Sequence, residues 1–159
     1  MQHIHNEQIG QYRAPIFPSD SLIAMPDSTP DTDTAATCPC GNGIEYAQCC
    51  GRYISKNEIP HSAEKLMRSR YCAFVLCDES YLLATWHPDT RPGRVRLDGQ
   101  QRWLGLSIRA TEGGGLDDLT GIVEFVARFK VAGKGHRLHE ISRFEKIDGR
   151  WLYLDGQHL

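Results

Sequence analysis

GIVEFVARFKV, residues 121–131, is the stretch on which the fold turns. Val123, Phe125, Ala127 and Phe129 fall on one face, while Glu124, Arg128 and Lys130 share the other with Val126. That alternation is the pattern of a half-buried antiparallel strand. Runs of the same texture flank it: RWLGLSIRAT from Arg102 before it, and RLHEISRFEKI from Arg137 and RWLYLD from Arg150 after it. Glycine-rich or Asp-Gly turns separate them, so the chain from Arg102 onward reads as an antiparallel meander.

Upstream the period changes. In HSAEKLMRSRYCAFVLC, residues 61–77, Ala63, Leu66, Met67, Arg70, Tyr71, Phe74 and Val75 recur at helical spacing. Ser62 is placed to cap that helix and Glu64 sits in its first turn, which predicts a helix over about 62–77. Asp78 can cap a second short helix, ESYLLATW, which Pro88 stops. Helices followed by a meander imply an α+β domain over residues 60–157, a helical layer packed on a curved sheet.

Before the helices stands CPCGNGIEYAQCCG, residues 38–51: a Cys-x-Cys pair, eight intervening residues, then adjacent cysteines and a glycine. Four thiolates this close can surround one tetrahedral zinc at about 2.3 Å each, and the metal supplies folding energy that so short a segment cannot draw from a core. Cys38, Cys40, Cys49 and Cys50 are therefore the expected ligands of a knuckle over residues 38–54, with Gly41, Gly43 and Gly51 at tight reversals. Four thiolates close the coordination shell, which makes the metal a scaffold rather than a Lewis acid. Ile44 and Tyr46, on the loop between the cysteine pairs, are the expected partner contacts. Cys72 and Cys77 lie on different faces of the predicted helix and read as buried, inert thiols.

The cysteine segment resembles the SEC-C motif, the zinc-binding tail of the Sec preprotein translocase ATPase. The onward sequence, with AEKLMRSRYCAFVLCDESYLLATWHP, GIVEFVARF and HEISRFEKIDGRW, is similar to the uncharacterised YchJ-like (UPF0225) proteins, which join this motif to an NTF2-like domain. The resemblance covers roughly residues 37–157. It implies zinc on the same four cysteines and a cone-shaped sheet wrapped around helices. Asn42 stands where many such motifs have serine, and the loop between the cysteine pairs carries no lysine.

NTF2-like cones often hold a pocket at the open end, and the residues expected to line one here are Tyr81, Trp86, His87, Trp103, Glu124, His139 and Arg143. Each also has a plain structural reading. The tryptophans can be core, His87 can simply end a helix before Pro88, and Glu124 can pair across strands with Arg143 or Arg128. His139 and Glu140 are sequence neighbours, which on a strand places them on opposite faces. The carboxylate visible in sequence for His87 is Asp89. Arg91, Arg94, Arg96, Arg102 and Arg109, with Trp86 and Trp103 nearby, form a basic and aromatic cluster of the kind that holds phosphates and stacks bases.

Composition sets the outer bounds. The 159 residues are 40% hydrophobic and 24% charged with a net charge of -2, the profile of a globular domain with no global bias toward nucleic acid or membrane. Residues 1–37 carry Arg13 against Glu7, Asp20, Asp27, Asp31 and Asp33, together with four prolines, and read as a poorly ordered leader. They have neither the basic nor the apolar region of a secretory signal, and nothing in the chain approaches the length of a membrane span. A cytoplasmic protein is the expectation, where reduced cysteines favour metal over disulfides. The leading functional expectation is a zinc-binding interaction module that docks a cytosolic protein partner. The alternatives are a small-molecule binding protein or enzyme using the cone pocket, and RNA or ribosome association through the arginine cluster.

Overall fold

The computed structural model describes residues 36–159, so the leader expected over residues 1–37 lies almost wholly outside the described residues. The element order is a 3-10 turn at Tyr46–Gln48, helices α1 (Gly51–Ile54), α2 (Ala63–Val75) and α3 (Glu79–Ala84), then strands β1 (Arg102–Gly113), β2 (Thr120–Val131), β3 (Lys134–Ile147) and β4 (Arg150–His158). This is the expected α+β arrangement, with all four strands antiparallel in the order β1-β2-β3-β4. Among the described residues no helix is long and apolar enough to cross a membrane.

Both predicted caps are present. Ser62 Oγ accepts from the Lys65 N–H at 3.2 Å and starts α2, and Asp78 Oδ1 accepts from the Tyr81 N–H at 3.0 Å and starts α3, each satisfying an otherwise unpaired first-turn donor. Helix α2 ends where Cys77 adopts a left-handed backbone (φ 55) and the Asp78 N–H reaches back to the Ala73 carbonyl at 2.8 Å. Cys77 is exposed, not buried as expected, because the residue that reverses the chain at a helix C-terminus leaves the packed face.

The core lies between α2 and the concave side of the sheet. Leu66, Met67, Tyr71 and Cys72 meet Val123, Phe125, Ala127, Phe144 and Trp151, and Cys38, Cys40 and Cys50 of the knuckle belong to the same cluster. Residues 36–159 accordingly belong to one compact unit. After α3 the chain runs along the outer edge of β4. There the Tyr153 N–H donates to Thr85 O at 2.9 Å and the His87 N–H to Tyr153 O at 2.7 Å, so Trp86 is bridged to Tyr153.

Two-residue turns join the later strands, Ala132-Gly133 (φ 48 and 78) and Asp148-Gly149 (φ 49 and 76). Both positions of such turns need positive φ, which matches the right-handed twist of the flanking strands. Ala132 is the poor fit, since its Cβ disfavours that region by about 1–2 kcal/mol. Ala132→Asn, which restores the preferred Asn-Gly pair, is expected to stabilise the domain by roughly 1 kcal/mol and raise Tm by about 3 °C. A thermal melt with no upward shift would contradict the turn assignment.

Candidate metal centre

The knuckle is a small reversal held by backbone bonds. Thr37 bridges Glu45, the Cys38 N–H donates to Ile44 O at 2.8 Å and the Tyr46 N–H to Ala36 O at 2.9 Å. The 3-10 turn at 46–48 then swings Cys49 and Cys50 back over the first pair. Gly51 permits this return: a Cβ there would stand 2.7 Å from Tyr46 O and 2.9 Å from the Tyr46 ring. Tyr46 is thus half-buried against the core, while Ile44 is 43% exposed.

The result gathers the sulfurs of Cys38, Cys40, Cys49 and Cys50 so that all lie within 4.8 Å of one another. Cys40 and Cys49 are 3.6 Å apart and Cys49 and Cys50 4.0 Å. A tetrahedron of about 2.3 Å metal–sulfur bonds has edges near ~3.8 Å, so the donor set fits a thiophilic dication and offers none of the oxygens that calcium or magnesium require. Cys38, Cys40 and Cys50 are buried and Cys49 is half-buried. Asn42 Nδ2 donates to Cys49 Sγ at 3.7 Å and Arg68 Nη1 to Cys40 O at 2.9 Å.

Without a cation these thiols cannot all ionise. Hydrogen bonds from Cys50 and Cys72 push the Cys40 thiol down, and the same bonds push Cys50 and Cys72 up, because a neighbour that must donate its proton resists losing it. Cys72 was expected to be an inert buried thiol. It is buried, but its sulfur lies 3.5 Å from that of Cys38. The missed signal was its place on the core face of α2, among Leu66, Ser69 and Ala73.

The residues expected to line one pocket separate into distinct neighbourhoods. Tyr81 bonds Ser69 Oγ at 2.7 Å and borders a cavity of about 110 Å³ between α1, Asn57–Pro60, α3 and β4, which none of the other six candidates lines. Trp86 sits edge-on to Tyr153, centroids 5.0 Å apart, and the guanidinium of Arg70 lies 5.0 Å and 4.5 Å from these two rings. Burial lowers the Arg70 pKa to about 10, so the cation persists at neutral pH. Trp103 packs among Tyr71, Phe74 and Phe129.

The polar candidates pair differently from the sequence expectation. His87 is buried, and its partner is Glu145 at 3.0 Å rather than Asp89, whose carboxylate stands 3.8 Å from the ring. The Asp89 N–H donates to His87 Nδ1 at 3.1 Å, which places the ring proton on Nε2, facing Glu145. Glu124 pairs with His139 at 2.7 Å, not with Arg143 or Arg128. Arg143 instead grips Asp155, with Nε donating to Oδ1 at 2.7 Å. Glu140, on the opposite face from His139, accepts from Ser142, Tyr153 and His158 at 2.7, 3.1 and 2.9 Å.

The arginines of the 91–109 cluster are exposed, and Arg94 lies 3.7 Å from Glu79. Arg102 extends the basic surface across the convex side of the sheet, where the register places it opposite Lys130 and sets Arg128 opposite Arg137. Two like charges facing each other across a ladder are destabilising by themselves. Neither arginine forms an ion pair among the described residues.

Comparison with known proteins agrees with this architecture. Residues 36–52 match the SEC-C motif and residues 62–156 match the model described as "YchJ, middle NTF2-like domain". The fold and site therefore define a SEC-C motif joined to an NTF2-like domain. More particularly, the chain belongs to the YchJ-like UPF0225 family. It is 54% identical over 125 residues to a UPF0225 protein of Chromobacterium violaceum, covering 76% of this chain and 92% of that one. A Streptomyces coelicolor UPF0225 protein is 52% identical over 122 residues, with 77% and 95% covered. Among solved structures, the solution structure of a SEC-C motif containing protein from Rhodopseudomonas palustris superposes with a TM-score of 0.68 at 33% identity, covering 78% of this chain and 99% of that one. A crystal structure from Psychrobacter arcticus gives 0.60 at 30%, with 75% and 80% covered.

Because Gly51 carries the return of the chain, Gly51→Ala should force Tyr46 aside and cost about 1–3 kcal/mol, as overpacking does. The measurement is chemical denaturation with near-UV circular dichroism of the tyrosines; an unaltered midpoint would refute the contact.

Proposed function

We propose that the chain is a zinc-held interaction module, in which the metal on Cys38, Cys40, Cys49 and Cys50 stiffens a surface that docks a cytosolic protein. The observation that carries this reading is the mutual approach of the four sulfurs within 4.8 Å at the border of the main core. Four sulfurs at that spacing suit zinc in a closed, structural role. When bound, the metal would neutralise the thiolates and hold the two cysteine pairs together; the chain itself supplies the contact. Ile44, exposed on the loop between the cysteine pairs, offers an apolar anchor, beside Tyr46, which is half-buried against the core.

A second reading, RNA association, is favoured by one specific observation. The convex face carries Arg102, Arg128, Lys130 and Arg137 side by side, an arrangement that phosphate groups relieve. Single-stranded RNA binding that weakens steeply with salt and is abolished by Arg128→Glu with Arg137→Glu would favour this face over the knuckle.

Protein purified without added metal should contain about one zinc per chain, and acidification should release it because protons compete for the thiolates. Elemental analysis showing less than a tenth of that in reduced, folded protein would end the zinc reading. Ile44→Asp should keep the zinc yet weaken docking about tenfold, a loss of about 1.4 kcal/mol. Co-purification that is insensitive to this change would move the contact away from the knuckle.

A further inference from the structure

The cavity of about 110 Å³ between α1, the 57–60 segment, α3 and β4 takes no part in the metal centre or the basic face. Its wall is largely apolar and aromatic, with Tyr53, Ile59, Pro60, Leu66 and Trp151 among the lining residues. The polar groups on that wall are of two kinds. Glu58, Tyr81 and Thr85 are already engaged: the carboxylate with Arg52 at 2.6 Å, the Tyr81 hydroxyl with Ser69 Oγ at 2.7 Å, and Thr85 Oγ1 with Arg70 Nη1 at 2.8 Å. The side chains of Asn57 and Arg150 also line the cavity, and among the described residues neither has a hydrogen-bond or ion-pair partner.

Trp151 adds a second, independent observation. It is 2% exposed, and its indole Nε1 is buried with no hydrogen-bond partner. Lys146 lies 4.9 Å from the centre of its ring but has no acceptor to offer. A buried donor left unpaired costs about 1–3 kcal/mol, so native chains rarely keep one without a reason. Donors therefore outnumber acceptors on this wall: the Asn57 amide, the Arg150 guanidinium and the Trp151 indole are unengaged, while the carboxylate of Glu58 is held by Arg52. Burial also raises the Tyr53 hydroxyl above its usual pKa, which keeps it a neutral donor.

We propose that this cavity is a binding site for a small monocarboxylic acid with a short branched apolar body, the body held among Tyr53, Leu66 and Trp151 and the carboxylate paired with Arg150. Size sets the body. An apolar cavity of about 150 Å³ holds benzene, so about 110 Å³ suits some four carbons. Charge sets the head, because an unpaired guanidinium beside uncommitted N–H donors favours a planar anion that can accept two bonds at once. The site is independent of the metal centre, since none of the four knuckle cysteines lines it.

Nitrogen-15 NMR of the full chain, titrated with isovalerate, tests this directly, because the three tryptophans give three indole N–H signals. The Trp151 signal should shift saturably with a Kd of about 1 mM or tighter, as a ligand of seven heavy atoms allows, while that of Trp103 stays in place. Acetate, which lacks the body, and isoamyl alcohol, which lacks the charge, should each bind at least about tenfold more weakly. Arg150→Gln should weaken isovalerate by a similar factor and leave isoamyl alcohol unaffected. Ala84→Leu, which fills the cavity from α3, should abolish both, with the rest of the spectrum confirming a folded chain. A Trp151 signal that does not respond to isovalerate, or a response that Arg150→Gln and Ala84→Leu leave unchanged, would overturn the proposal. A tripeptide ending in leucine that binds more tightly than isovalerate would move the site to the C-terminus of a protein and overturn the small-acid assignment.

Discussion

Crowding of sulfur is the constraint on which the rest of the structure depends. Four cysteine sulfurs within 4.8 Å of one another, beside a fifth on α2, cannot all be thiolates in a low-dielectric setting unless a cation balances them. The same sulfurs are part of the packed interior, with Cys38, Cys40 and Cys50 in one cluster with Leu66, Tyr71, Val123 and Phe125. The knuckle is therefore a wall of the core as much as a metal site. The knuckle and the packing of α2 against the sheet share one interior.

A buried charge joins the helical layer to the sheet edge. Arg70 is 3% exposed, donates to the Leu82 carbonyl and to Thr85 Oγ1, both at 2.8 Å, and lies against the faces of Trp86 and Tyr153. One guanidinium thus joins α2, α3 and the edge of β4. Such a cation is tolerated inside because π faces and fixed oxygens replace its water. The space where a ligand pocket was expected around Trp86 is occupied by this contact.

The sheet has two different faces. On the concave side Glu140 is satisfied internally by three donors. On the convex side Arg128 and Arg137 face each other across the ladder although the whole chain is slightly acidic. The protein-docking and RNA readings use different surfaces: one the exposed loop between the cysteine pairs, the other the basic face.

Local periodicity and local chemistry were sufficient for much of this. Alternation in GIVEFVARFKV, helical spacing from Ala63, the caps at Ser62 and Asp78 and the cysteine spacing each involve neighbours within a turn or two, where backbone geometry alone decides which side chains share a face. Pairings across the sheet needed more. The turn at Ala132-Gly133 sets Val126 opposite His139, which brings Glu124 diagonally to the histidine, a relation that counting back from the turn could have exposed. The partner of Glu140 could not be counted in this way. Between Arg143 and Phe144 the register against β4 shifts by one residue, the extra residue being Leu154, whose carbonyl accepts from Thr90 Oγ1 at 2.6 Å. That bulge moves His158, instead of Gln157, opposite Glu140. Likewise nothing along the chain ties Cys72 to Cys38. The sequence by itself determined the elements and the four-sulfur motif; which polar groups meet, and that a fifth sulfur joins the four, was decided only when the helix, knuckle and sheet closed on one another, because those distances depend on packing between segments remote in sequence.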